Sequence, residues 1–416
     1  MAAAAAICRV VIVGAGHAGF QLAASLRQNG FDGRVVLIGD EPHLPYQRPP
    51  LSKDYLDGKT GFDMLQMRPG SFYDEHRIEL VAGRPVAAIE RAGKAVVLAG
   101  GERVDYDHLV LATGARNRVP PLPGIELDGV CYLRNLAETE ALKQRLASCG
   151  GAVVIGGGFI GLEFAAVARG KGVPVHVVEL LDRVMARVVC PDSSAHFARA
   201  HRRTGVEFSF GRRVERLGGE HGRVTHVVLD NGRSLPADLV LISIGVVPNE
   251  SLAAAAGLAV ENGVVVDEQL MTADPAISAI GDCAAFPSRH SLKNPVRLEA
   301  VQNAADHARC VADRLLGKPH RYEALPWFWS EQGAERLQIA GLTAGFQQVV
   351  LRGDYAKGEY SAFCYAGDRL LGIESINKPA DHAFARRLLA AGRSVTPAEA
   401  ADPDFDLRAA AAARPA

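Results

Sequence analysis

Twice in this chain an unbroken apolar run of four residues meets a glycine-rich turn. The first copy is Val10-Val11-Ile12-Val13 followed by Gly14-Ala15-Gly16-His17-Ala18-Gly19. The second is Ala152-Val153-Val154-Ile155 followed by Gly156-Gly157-Gly158-Phe159-Ile160-Gly161. Apolar runs that do not alternate with polar residues fit strands of a parallel sheet, buried on both faces. After each turn comes a helical pattern. The first runs from Phe20 to about Asn29, with Leu22, Ala23 and Leu26 on one face and Gly30 as its stop; the second runs from Leu162 to about Lys171. Each leads to another apolar strand, Arg34 to Ile38 and Val175 to Val178, with an acidic residue beyond it, Asp40 and Glu179. The pattern dictates two βαβ units about 140 residues apart, hence an α/β chain with two separate domains of one design.

The chemistry follows from the residue types. Gly14 makes the tight turn, Gly16 lets a diphosphate approach the backbone, Gly19 allows close helix packing, and the helix N-terminus offers N–H donors and partial positive charge. Asp40, about 25 residues beyond the first glycine, can accept ribose hydroxyls. Gly156, Gly158, Gly161 and Glu179 repeat the arrangement. A carboxylate at Glu179 would repel a 2′-phosphate, and Leu180-Leu181 put no arginine beside it, with Arg183 the nearest cation along the chain; NADH is expected over NADPH. Two dinucleotide loops in one chain imply a resident redox cofactor and a diffusing hydride donor, and FAD with NADH is the expected pairing.

Composition excludes other classes. The 416 residues exceed what one core holds, and a formal net charge of −1 without runs of like charge points to neither nucleic acid nor an anionic membrane. No apolar segment approaches the roughly 20 residues that span a bilayer. Met1 to Ala6 lacks the basic region of a secretory signal, so a cytoplasmic protein is expected. The seven cysteines show no CxxC and no close pairing, which argues against a disulfide framework or a metal site.

Two further segments, Leu109-Val110-Leu111-Ala112-Thr113-Gly114 and Leu239 to Gly245 with Val246-Val247-Pro248-Asn249, read as strands breaking into turns where the chain crosses between domains. From Tyr322 the pattern changes to Trp327-Phe328-Trp329, β-leaning stretches (Leu337 to Ala340, Gln347 to Arg352, Ser361 to Tyr365, Leu370 to Ser375) and a helix around His382 to Ala391, a third, α+β domain. The alanine-rich end from Leu407 is expected to fray.

The paired loops, Ala112-Thr113-Gly114, Ile280-Gly281-Asp282, the run Pro45-Tyr46-Gln47-Arg48-Pro49-Pro50-Leu51-Ser52-Lys53 and the Pro326-Trp327-Phe328-Trp329-Ser330 segment resemble, over nearly the whole chain, the oxygenase-coupled ferredoxin reductases of the putidaredoxin reductase type. The resemblance implies a glutathione-reductase-like fold: an FAD domain from 1–118 and 247–321, an NAD domain from 119–246 and a C-terminal domain from 322–416 that covers the flavin. It implies FAD contacts at Gly14, Gly16, Ala18, Gly19, Asp40, Arg48, Lys53, Val86, Ala112, Thr113, Gly114, Arg134, Asp282, Val301 and Trp329. NADH contacts would fall at Gly156, Gly158, Ile160, Gly161, Glu163, Glu179, Arg187 and Glu299.

Lys53 would stabilise negative charge on the reduced ring, Glu163 would meet the nicotinamide carboxamide, and Trp329 would lie beside the isoalloxazine, with Trp327 core. Taken alone, Glu163 also reads as a surface residue favourable to the helix dipole. Hydride transfer needs positioning rather than a nucleophile. The stretch from Tyr46 to Lys53 has no cysteine where the disulfide reductases of this architecture place a redox pair, so the electrons are expected to leave singly. The resemblance supplies their acceptor, an acidic 2Fe–2S ferredoxin serving a cytochrome P450 or a ring-hydroxylating oxygenase, docked on local basic residues, Arg309 first and then Arg289 and Lys293. A monomer or weak dimer without metal is expected. Two other readings stand beside this one: an NADH oxidase or quinone reductase, and a redox-sensing interaction protein similar to the apoptosis-inducing factor group. Gly333-Ala334-Glu335 departs from the aromatic residue common in the family after this tryptophan segment.

Overall fold

The computed structural model describes residues 7–412; Met1 to Ala6 and the last four residues of the expected fraying end lie outside that range. Among the described residues the chain divides into two compact units, 1–47 with 63–116 and 247–326, and 48–62 with 117–246 and 327–416.

In the first unit, β1 (Arg9–Val13) leads through the glycine turn into α1 (His17–Gln28) and β2 (Arg34–Ile38). The helix starts three residues before the expected Phe20, because the glycine turn itself forms its first turn, with Gly16 as the N-cap. A five-stranded parallel sheet runs Ile277–Ala279, His108–Leu111, β1, β2, Ile78–Val81. Val10, Val11, Ile12, Val35 and Leu37 are at most 0% exposed, as expected of strands covered on both faces. β1 lies between β2 and the His108–Leu111 strand, so the strand order switches at β1, and ligands of such parallel sheets bind outside the C-terminal ends of the strands at that switch.

The second unit repeats this with β3 (Ala152–Ile155), α2 (Phe159–Gly170) and β4 (Val175–Glu179). Its parallel sheet runs Val206–Phe210, β4, β3, Leu239–Ile242, Val130–Cys131. Helix α3 (Pro191–Arg203) follows β4. An antiparallel hairpin, β5 (Trp327–Gln332) and β6 (Glu335–Gly341), then opens a second five-stranded sheet with Arg369–Ile376, Glu359–Ala366 and Gln348–Asp354.

The units cut the chain differently from the three expected domains. Residues 48–62 go with the second unit: Leu56 is buried among Cys131, Leu133, Phe164 and Val175, and Lys171 Nζ donates to the Asp57 carbonyl at 2.7 Å. The C-terminal sheet joins it too, because Leu162, Val189 and Phe197 share one apolar core with Leu337, Tyr360, Cys364 and Ile376. Fully buried Glu374 adds a polar clasp, accepting the Cys190 N–H at 2.9 Å, and burial holds its carboxyl well above the ordinary range. Tyr322, expected to open the C-terminal domain, is instead buried in the first unit, its ring edge-on to Phe286 and His307. The chain end from Leu407 forms a short helix, Leu407–Ala412, rather than fraying at once.

Candidate functional site

The two glycine turns separate structural glycines from open ones. A Cβ on Gly14 would lie 2.1 Å from the Ala112 carbonyl oxygen, and the residue sits at φ +113°; the equivalent Gly156 (φ +107°) would meet the Ser243 carbonyl oxygen at 2.2 Å. These positions hold the turn against the neighbouring strand. Gly16 and Gly158, by contrast, would place a Cβ in space with nothing within 4 Å. Each is the N-cap of its helix, without a side-chain cap and without an acidic residue in the first turn. The positive helix end therefore faces open space at both loops, which is what a diphosphate fits.

In the first unit, three further segments meet near this loop. The Ala112-Thr113-Gly114 strand end is tied to Asn249, which donates to the Thr113 carbonyl at 2.8 Å and accepts the Thr113 hydroxyl on its own carbonyl at 2.6 Å. Gly281 passes close to Ala18, where a Cβ would come within 3.0 Å, and this places Asp282 beside the start of α1. His307 holds that turn by accepting the Gly281 N–H at 3.2 Å; burial lowers its pKa to about 3, so the ring is neutral and can accept. Asp40 is exposed just beyond β2, Val86 opens the strand Val86–Glu90, and Val301 opens the helix Val301–Leu315. Glu299 also belongs to the first unit, paired with Arg297 at 2.7 Å.

In the second unit Glu179 does two things. Its carboxylate accepts the Gly157 N–H at 2.7 Å and the Leu181 N–H at 2.8 Å, which fixes it against the glycine turn with acceptor capacity to spare. Arg183 is turned toward the Val189 carbonyl at 3.4 Å. Ile160, Leu180, Leu181 and Val188 are exposed large apolar side chains, four of the eight such residues among the described ones; Arg187 is exposed beside them in sequence. Apolar exposure concentrated around a glycine turn suits a flat heterocycle.

Of the remaining sequence-derived residues of the second unit, Lys53 and Glu163 are brought into direct contact, with Ser52 and Ser330 on the same carboxylate. Glu163 lies in the second turn of α2 and is 3% exposed, so it is neither a surface residue nor a first-turn partner of the helix dipole. One carboxylate oxygen accepts Lys53 Nζ at 2.8 Å and the Ser52 hydroxyl at 2.5 Å; the other accepts the Ser330 hydroxyl at 2.7 Å. Lys53 ends the 3-10 turn Pro49–Ser52 and also reaches the Pro49 carbonyl at 3.3 Å. Arg48 opens that turn and donates to the Arg134 carbonyl at 2.9 Å, so these two arginines are brought together. Along β5, Trp327 and Trp329 share one face with ring centroids 5.7 Å apart, and Phe328 points to the other against Phe159 at 4.6 Å. All three rings are half-buried, so Trp327 is not the core residue its sequence context suggests; Arg386 lies 4.2 Å over its ring.

Gly333 (φ +65°) and Ala334 form the two-residue tip of the β5–β6 hairpin, and Glu335 turns inward to His196 at 2.9 Å. The departure is thus a tight-turn requirement joined to a part-buried carboxylate–imidazole hydrogen bond. Ser52, Ser330, Gln332, Asn249 and His307 were not legible in advance, since isolated polar residues carry no spacing signal; the Trp-Phe-Trp-Ser-x-Gln alternation on a strand was the nearest hint.

Residues 8–308 match the pyridine nucleotide-disulphide oxidoreductase family, and residues 327–411 match the reductase C-terminal family. The chain belongs to the pyridine nucleotide-disulphide oxidoreductase family. It is an oxidoreductase of the type that uses FAD and NAD(H), with the carboxy-terminal domain of the ferredoxin reductases. It is 51% identical over 403 residues to rhodocoxin reductase of Rhodococcus erythropolis, covering 97% of this chain and 94% of that one. The crystal structure of the ferredoxin reductase for the CYP199A2 system from Rhodopseudomonas palustris superposes with a TM-score of 0.95 at 54% identity, covering 97% and 100% of the two chains. The reductase in a covalent putidaredoxin reductase–putidaredoxin complex gives 0.95 at 40% identity, covering 98% and 100%.

Proposed function

We propose that this chain is an NADH-dependent ferredoxin reductase that feeds a 2Fe–2S ferredoxin serving a cytochrome P450 or a ring-hydroxylating oxygenase. The observation that carries this reading is the Arg48 to Lys53 segment. Where a dithiol reductase of this architecture holds cysteines, this chain has Lys53 paired with buried Glu163. Bound FAD would supply the chemistry, taking two electrons from NADH and releasing them one at a time.

The residues then divide the work. The Gly14 to Gly19 turn and the start of α1 bind the FAD diphosphate, Asp40 its ribose, and Asp282 the chain between ribose and ring. The Gly156 to Gly161 turn binds NADH, with Glu179 on the ribose that distinguishes it from NADPH. Arg48, Arg134 and Val301 orient the flavin, Lys53 places positive charge for it, Glu163 orients the nicotinamide and Trp329 gives a flat apolar wall that keeps water out. Arg309, our first choice for docking an acidic ferredoxin, is exposed but already paired with Asp306 at 2.6 Å; Arg289 faces Glu323 at 3.7 Å. Docking therefore draws on a mixed patch, which weakens but does not remove its salt dependence. We place the protein in the cytoplasm, where its donor is available, as a monomer or weak dimer. No described helix is long and apolar enough to cross a membrane.

Rapid mixing of the FAD-loaded protein with NADH and NADPH, followed by cytochrome c reduction with and without a 2Fe–2S ferredoxin, tests the reading. NADH should reduce the flavin faster, and ferredoxin should accelerate cytochrome c reduction, with an apparent KM that rises with salt. Cytochrome c reduction unaffected by ferredoxin would overturn it in favour of direct reduction of oxygen or a quinone.

A further inference from the structure

Glu163 is the end of a longer buried chain of polar groups in the second unit. Ser330 donates to its carboxylate at 2.7 Å, Gln332 Nε2 lies 3.2 Å from the Ser330 hydroxyl oxygen, and Gln332 Oε1 lies 2.9 Å from His201 Nε2. Ser330, Gln332 and His201 are 0%, 3% and 3% exposed, so each is removed from bulk water and takes its partners from within the protein.

The direction of each bond follows from the carboxylate. An ionised carboxylate only accepts, so the Ser330 proton must point at Glu163, and Ser330 offers its neighbour lone pairs alone. Gln332 must then present its amide N–H groups to Ser330, the second one reaching Met185 Sδ at 3.5 Å, and its oxygen must face α3. That oxygen needs a donor, which assigns the proton of His201 to Nε2. A neutral His201 suffices, and burial lowers its pKa. Were the Gln332 amide reversed, its oxygen would draw the Ser330 proton away and set a lone pair against the carboxylate.

We propose that Gln332, held by His201 on α3, is a positioning residue that orients the Ser330 hydroxyl and through it locks one oxygen of Glu163, while Ser52 and Lys53 hold the other. With three donors placed from two sides, the carboxylate keeps a single orientation for the nicotinamide. The inference rests on the reading of Glu163 as a nicotinamide contact. It adds to that reading a set of residues on β5 and α3 that touch neither cofactor nor substrate.

The test uses the FAD-loaded full chain and the non-reducing probe 1,4,5,6-tetrahydro-NADH, titrated by the change in flavin absorbance, alongside the limiting rate of flavin reduction by NADH. Ser330→Ala and Gln332→Met should each weaken probe binding or slow reduction by about tenfold, the scale of losing a hydrogen bond to a charged group. Ser330→Thr, which keeps the hydroxyl, should stay within about twofold. The double variant should be no worse than Ser330→Ala alone, because Gln332 acts only through that hydroxyl. Glu163→Gln separates the two levels of argument. If it leaves probe binding and reduction intact, the reading of Glu163 fails. If it impairs them while Ser330→Ala and Gln332→Met do not, or if those two effects add, the positioning inference fails. Should Gln332→Met not fold, His201→Phe, which removes the donor that sets the Gln332 amide, takes its place: the same loss in probe binding or reduction rate is expected, and unchanged values would overturn the inference.

Discussion

Replacing Lys53 by methionine is the sharpest test of the buried charge. The substitution keeps most of the side chain's volume and removes the ammonium 2.8 Å from a carboxylate whose side chain is 3% exposed, while Lys53 itself is 18% exposed. Removing one member of a buried pair costs about 3–5 kcal/mol, because the other charge is left without compensation. Two hydroxyls remain on Glu163 and some water reaches the lysine, so the low end applies, about 3 kcal/mol. A body of this size loses about 2–4 °C in Tm per kcal/mol, which gives a drop of roughly 6–12 °C. Glu163→Gln should cost less, since a neutral amide can still meet Ser52 and Ser330. In the Lys53→Met, Glu163→Gln double variant the charge is gone, and the loss should fall clearly below the sum of the single ones. Thermal and urea unfolding followed by far-ultraviolet circular dichroism, at one saturating FAD concentration, measures all three. A Lys53→Met protein within about 1 °C of the parent, or single effects that simply add, would refute the claim that this pair is a coupled buried charge.

Three other outcomes are expected. Gly16→Ala should leave the Tm of the FAD-free protein unchanged yet weaken FAD binding, because the new methyl group enters open space, whereas Gly14→Ala should destabilise the fold by its clash with Ala112; calorimetry and FAD titration separate the two. Glu179→Ala should lower the ratio of kcat/KM for NADH to that for NADPH by about tenfold, read from steady-state kinetics with both donors. His307 and His108 have their pKa depressed to about 3 by burial, so their stabilising contribution is present above their unfolded value near 6.5 and is lost as pH falls from there toward 3. Each contributes at most about 1.4 kcal/mol per pH unit, and His307→Asn, which keeps an acceptor for Gly281, should flatten the fall in urea midpoint between neutral pH and pH 5.

Much of the molecule was legible along the chain. Strands such as Arg34–Ile38 and Ala152–Ile155 carry their own signal, because a strand buried on both faces must be apolar at every position. The glycine turns are equally local: a tight turn, an open approach and a helix N-terminus are all set within six residues, so both turns and the helices they open could be named from spacing. Element edges were less so. Helices α1 and α2 begin inside their glycine turns, and Trp327 looked like core because an aromatic triplet gives no polar alternation.

The surroundings of Glu163 could not be read in this way. Its partners come from residues 52, 53 and 330, more than a hundred positions distant in the chain, and none has a spacing that marks it. The sequence by itself determined that there would be two dinucleotide-binding sites of one design, since each is a property of consecutive backbone. Only the tertiary structure decided that Glu163 is a buried carboxylate ringed by donors, that the Arg48 to Lys53 segment packs with the second unit, and that Ser330 links Glu163 to Gln332 and His201. Burial and hydrogen-bond partnership are properties of packing, and packing joins residues that the order of the chain keeps apart.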